Sequence, residues 1–149
     1  MVMGKERNIG SLLTRWYCIT AALLFVGLIM QIVPNSTVMV FANAQGKPNI
    51  VAYSYFDVMH IGYGNWHFFL SGCLTLASFV LCMVNIWKHN AKIAIICSVL
   101  SSLAFLVAGV GSFLFTAVYY LNAMCWITLA ILFVAALASF VPFLAMMRK

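Results

Sequence analysis

Four strongly apolar runs, uncharged apart from Lys92 at the edge of the third, divide this chain, and each is long enough to cross a lipid bilayer. They extend from about Trp16 to Val33, from Trp66 to Trp87, from Ala91 to about Val118 and from Ala123 to Met147. A helix needs roughly 20 mostly apolar residues to traverse a hydrocarbon core of about 30 Å, so each run fits one crossing. Composition agrees, because 66% of the 149 residues are hydrophobic and only 7% are charged, against about one quarter charged in a soluble domain. The expected fold is all-α and membrane-integral. A single polytopic domain over residues 1–149 forms a left-handed four-helix transmembrane bundle, with a small exoplasmic β-hairpin loop between spans 1 and 2.

Local signals mark the same boundaries. Asn65, Asn90 and Asn122 each stand just before an apolar run, where an amide side chain caps free helix N–H groups. Pro34-Asn35 stops the first run. Trp16, Tyr17 and Trp87 collect at one set of ends, and Tyr63, Trp66, Tyr119, Tyr120 and Trp126 at the other, as amphipathic rings do at the headgroup level.

Basic residues set the expected orientation. Lys5, Arg7, Arg15, Lys88, Lys92, Arg148 and Lys149 fall on one side, and Lys47 alone of the eight basic residues falls on the other. A multi-pass protein of the cell membrane with both termini cytoplasmic follows. The formal net charge of +6 is then a consequence of topology and of weak attraction to anionic lipid, and a nucleic-acid partner is not expected. Ala42-Asn43-Ala44 imitates a signal-peptide cleavage site, whose use would leave three spans. The preceding apolar stretch is longer than the usual 7–15 residues and ends well short of the triplet.

Residues 35–65 form the one connection long enough for structure of its own. Ser36 to Ala42 and Asn49 to Phe56 are rich in β-branched and aromatic residues, and Gln45-Gly46-Lys47-Pro48 between them reads as a turn. The pattern predicts a β-hairpin, and an isolated hairpin must lean on the bundle, the lipid or a partner. The segment from Tyr53 to His67 is dense in aromatic and histidine side chains. Tyr53, Tyr55, Phe56, Tyr63 and Trp66 are accordingly candidate contact residues. Asp57 and His60, three apart, fall together on one helical turn, with His67 close by. Three readings stay open for that trio: a weak metal site with an O/N/N ligand set of the zinc type, an acid–base pair for a membrane-surface enzyme, or an interfacial anchor without chemistry. The spacing matches no metal motif, and the anchor reading is preferred. No catalytic residue, metal or cofactor is assigned.

No Asp, Glu, Lys, Arg or His lies deep in the runs, Lys92 and His67 each standing one residue inside an end, although coupled carriers usually place an ionisable group at membrane depth. Gln31 and Asn85 are the amides there, and Thr75, Ser78, Ser101, Ser102 and Thr128 are the deepest hydroxyls. The third run spaces small residues at helical intervals: Ala94, Ser98 and Ser102, then Ala104, Ala108 and Ser112. Ala135 and Ser139 answer from the fourth. Such spacing permits close helix approach in lipid, either within the chain or against a partner, so Ser98, Ser102, Ala104, Ala108 and Ser112 join the candidate interface. Pro142 predicts a kink. Cys18, Cys73, Cys82, Cys97 and Cys125 all fall in or at the ends of the runs, without a C-x-x-C pair, which argues against a disulfide framework or a thiol oxidoreductase.

Four spans with inside termini and a β-forming first outer loop are similar in outline to claudin-type tetraspan proteins. The paired loop cysteines and tryptophan motif of that family are missing, so the resemblance implies no residue role. The expected function is that of a non-enzymatic accessory or interaction protein contacting lipid, another membrane protein or a second copy of itself. The alternatives are a small transporter or channel subunit and a surface enzyme using Asp57 and His60.

Overall fold

The computed structural model describes residues 2–42, 46–58, 66–115 and 122–147. Four helices carry the fold: α1 (Val2–Ile32), α2 (Trp66–Lys88), α3 (Ala91–Phe115) and α4 (Ala123–Met147). Strands β1 (Thr37–Ala42) and β2 (Pro48–Tyr53) lie between α1 and α2. Each helix contains a stretch long and apolar enough to cross a membrane; in α1 it is Gly10–Ile32.

The helices start and stop where side chains supply the missing backbone partners. Asn90 Oδ1 accepts from Lys92 N at 2.8 Å, and Asn122 Oδ1 accepts from Cys125 N at 2.8 Å. Both are N-caps. Asn65 lies outside the described residues. At the far end of α2, Asn85 Oδ1 accepts from Asn90 N at 2.7 Å, and His89 takes φ 46° to turn the chain. Helix α1 begins at Val2, well before the Trp16 expected from charge. Charged residues limit where lipid can begin, but Lys, Arg and Glu are good helix formers, so the helix continues through them. Helix α4 likewise runs on through Pro142.

Packing follows sequence order. Helix α1 lies against α2 and α4, and α3 against the same two, so the four close into a ring of antiparallel neighbours. The buried positions recur every three and four residues: Leu13, Tyr17, Thr20, Leu24 and Gln31 on α1; Phe68, Ser71, Thr75, Ser78, Cys82 and Asn85 on α2. Ala94, Cys97, Ser101, Ala104 and Ala108 continue the pattern on α3, and Cys125, Thr128, Leu132, Ala135 and Ser139 on α4. A period of 3.5 residues is that of left-handed coiled-coil seams. The seams here are small and polar, while Phe25, Leu76, Val80, Leu106, Phe133 and Leu144 face outward. A soluble coiled coil has the reverse arrangement, and this one suits an apolar solvent.

Hydroxyls and thiols join the seams. Ser71 Oγ donates to Ala104 O at 2.8 Å, Ser98 Oγ to Ser139 O at 2.7 Å, and Ser78 and Ser101 share a hydrogen bond of 2.6 Å. Cys82 Sγ reaches Tyr17 O at 3.3 Å. These tie α2 to α3, α3 to α4 and α1 to α2, each contributing on average about 0.6 kcal/mol in lipid.

The two strands pair antiparallel, with Thr37 opposite Tyr53 and Ala42 opposite Pro48. The expected hairpin is present, although its second strand ends at Tyr53, before the expected Phe56. Thr37, Val38 and Met39 are buried, whereas the cross-strand pair Val40 and Ile50 is exposed. The hairpin is therefore covered at the start of β1 and open towards its tip.

Candidate functional site: the capped end of the bundle

Helix α1 stops at Ile32, just ahead of Pro34, whose ring disfavours helix in the residue before it. The amide Nε2 of Gln31, one residue from that end, donates to Ser71 Oγ at 3.4 Å and to Thr75 Oγ1 at 3.2 Å. Ser71 is five residues past the start of α2 and Gln31 one residue from the end of α1, and the difference of four residues at 1.5 Å each carries α2 about 6 Å beyond α1. The bundle end is stepped, and the loop fills the step.

Tyr55 is the residue that fills it. Its main-chain N–H donates to Gln31 O at 2.9 Å. Its ring is fully buried, 4.9 Å between centroids from Phe68 of α2 and clustered with Ala108 of α3 and Cys125, Leu129 and Leu132 of α4. Ser36 Oγ shares its one proton between Gln31 O at 3.2 Å and Tyr53 O at 3.4 Å, which ties the end of α1 to the end of β2. On the rim, Asn122 Nδ2 donates to Asn35 O at 2.6 Å, joining the start of α4 to the turn after α1.

Two glycines admit the cap. A methyl group on Gly72 would lie 2.7 Å from Phe56 Cζ, so the absent side chain is what lets the Phe56 ring settle on α2. Gly111 of α3 does the same for the imidazole of His67, with which any β-carbon there would collide.

Three polar side chains meet beneath the cap from three parts of the chain, Tyr55 from the loop, Ser112 from α3 and Cys125 from α4, while His67 of α2 lies against Gly111 of α3. Ser112 Oγ donates to its own helix at Ala108 O, 2.6 Å away. The Tyr55 hydroxyl lies against the Cys125 thiol outside hydrogen-bond geometry, and burial first, the thiol second, pushes its phenol well above the usual range. Tyr55 is a neutral donor at any physiological pH.

The residues singled out from the sequence scatter over this site and beyond it. Asp57 is half-buried in the turn after β2, its N–H donating to Ser54 O at 3.3 Å. His67 is buried against α3, facing away from an outer surface. His60 and Tyr63 lie outside the described residues, and among the described residues no three His, Cys, Asp or Glu side chains are placed to hold a metal. Tyr55 is interior, Phe56 and Tyr53 are half-buried, and Trp66 is exposed. Of the small-residue set, Ser98, Ala104, Ala108 and Ser112 are buried within the chain's own bundle and Ser102 is half-buried. What sequence reasoning missed is Gln31 as the junction and the polar seam of α2. The signal was the four-three spacing of Ser71, Thr75, Ser78, Cys82 and Asn85.

On the outside of α3 and α4, an apolar groove of about 350 Å³ has Gly109 as its floor. Phe105 with Phe133 and Phe113 with Trp126 form its walls, at ring-centroid distances of 5.2 and 5.8 Å. No protein-family model matches the chain, and no curated protein or solved structure matches it either.

Proposed function

We propose that this chain is a non-enzymatic accessory protein of the cell membrane. It crosses the bilayer four times with both termini cytoplasmic and docks laterally with another membrane protein or a second copy of itself. The carrying observation is that the seam hydroxyls spend their protons on carbonyls and on each other. Ser71, Ser78, Ser98 and Ser101 all have intramolecular acceptors, so the polar interior acts as glue. Arg15, Lys88 and Lys92 gather at one end of the bundle, where Tyr17 and His89 approach to 6.3 Å between ring centroids. That end is assigned to the cytoplasm by the positive-inside bias, which leaves the hairpin outside. Surfaces remaining for a partner are the exposed Val40–Ile50 pair of the hairpin and the aromatic-walled groove of α3 and α4.

A transporter or channel subunit would need a path whose polar groups are available to the solute. Ser101 Oγ donates to Cys97 O and Ser102 Oγ to Ser98 O, each at 2.8 Å, so both spend their protons within their own helix, which favours the accessory reading. Extraction in discs of native membrane, followed by mass measurement of the intact particle, tests the proposal. A second protein or a second copy at fixed stoichiometry is the expected result. A single copy surrounded by lipid alone overturns it, as does solute flux through vesicles holding only this chain.

A further inference from the structure

Cys82 and Cys97 are fifteen residues apart in sequence, without C-x-x-C spacing, and the turn between α2 and α3 brings them face to face. The rungs on either side fix the register: Ser78 meets Ser101 at 2.6 Å one turn before Cys82, and Asn85 meets Asn90 at 2.7 Å one turn after it. Between those rungs the two thiols lie in hydrogen-bond contact with each other. Cys97 Sγ also reaches Ser78 O at 3.5 Å and Ser78 Oγ at 3.4 Å. Both cysteines belong to one buried cluster with Leu13, Tyr17, Leu24 and Ala94. Among the described residues no third His, Cys, Asp or Glu side chain joins them to hold a metal.

A buried thiol standing alone is inert. Two in contact differ, because a sulfenic acid formed on one condenses with the thiol of the other. We propose that Cys82 and Cys97 form an oxidation site inside the bundle, closed to a disulfide between α2 and α3 by a small uncharged peroxide, hydrogen peroxide. One sulfur attacks the peroxide O–O bond, and the leaving hydroxide takes that thiol's proton away as water, which leaves a sulfenic acid. The second sulfur then attacks the first, and its proton departs with the displaced hydroxide as a second water. Two thiols are oxidised to one disulfide while one peroxide is reduced to two waters. The setting selects product and oxidant. A disulfide is neutral, whereas a soft metal ion held by two thiolates would leave net negative charge in an apolar cluster, which is costly. Cys82 is 0% and Cys97 2% exposed, so glutathione, which is charged and keeps accessible thiols reduced, is shut out where a peroxide the size of two water molecules enters. The site belongs to the α2–α3 seam and is independent of any partner.

The test uses the whole chain in lipid nanodiscs, treated with hydrogen peroxide until the exposed Cys18 and Cys73 are oxidised, then unfolded, alkylated and analysed by peptide mass spectrometry. Cys82 and Cys97 are expected to escape alkylation together and to appear as one cross-linked pair, lighter by two hydrogens than the two thiol peptides. Cys125, buried to the same degree but outside the pair, should still be alkylated. Alkylation of both Cys82 and Cys97 once Cys18 and Cys73 are oxidised overturns the site, as does a cross-link from Cys82 to Cys18. Cys82→Ser removes the second sulfur, so dimedone should capture a sulfenic acid on Cys97 severalfold more than in the wild type. Equal capture in the two proteins would mean that Cys82 does not close the bond, and the proposal would be wrong.

Discussion

Tyr55 N–H donates to Gln31 O across 2.9 Å while the Gln31 side chain reaches in the opposite sense to Ser71 and Thr75 on α2. One residue at the end of α1 therefore holds the cap with its backbone and the bundle with its side chain. Removing the ring that this bond positions is expected to unseat the cap. Tyr55→Ala should lower stability by about 3–5 kcal/mol, as for other buried aromatic truncations, and thermal unfolding in detergent or nanodiscs measures it.

Gly72 sets a second condition for closure. The β-carbon of Gly72→Ala would meet Phe56 Cζ at 2.7 Å, too close for either atom to stay, and overpacking of this kind costs about 1–3 kcal/mol. Proteolysis of the segment around residues 46–58 should accelerate in this variant while the helices keep their far-ultraviolet signal. Gly109→Ala is the control, since its β-carbon would find only Leu129 Cδ2, at 3.9 Å.

The buried phenol gives the cap an alkaline limit. Folding raises the Tyr55 pKa above its ordinary value of about 10. The unfolded chain thus releases its proton first as pH rises, and stability present below pH 10 is lost progressively above it. Melting temperatures from pH 8 to 11 should fall in the wild type, and the fall should be shallower in Tyr55→Phe.

The seam hydroxyls act between helices. Ser78→Ala removes the bond to Ser101 and the bond to Cys97 O, and the expected loss is about 0.6–1.7 kcal/mol. Thr14→Ala, whose hydroxyl serves only its own helix at Gly10 O, should cost less. Equilibrium unfolding of the pair in one detergent compares them.

Much of this fold was legible because its rules are local. Uncharged length gave the four helices, and the amides at 90 and 122 gave two starts. The turn between Ala42 and Pro48 gave the hairpin. The step at Gln31 was not legible, since it depends on how far α2 rises beyond α1, which periodicity does not record. Tyr55 read as a contact residue for the same reason: aromatic loop residues mark interfaces, and here the interface is the chain's own bundle. The α3 small residues had two readings from spacing alone. The structure places Ala104 and Ala108 against neighbouring helices of this chain, where they allow close packing without any partner.

The central claim is that four crossings place the hairpin outside and the basic end inside. Asn49→Cys, exposed on β2, and Lys88→Cys, exposed at the end of α2, can be treated with a membrane-impermeant thiol reagent on intact cells, with the unmodified chain as background. The expected result is labelling of Asn49→Cys from outside and of Lys88→Cys only after permeabilisation. Labelling of both from outside, or of Lys88→Cys alone, would contradict it.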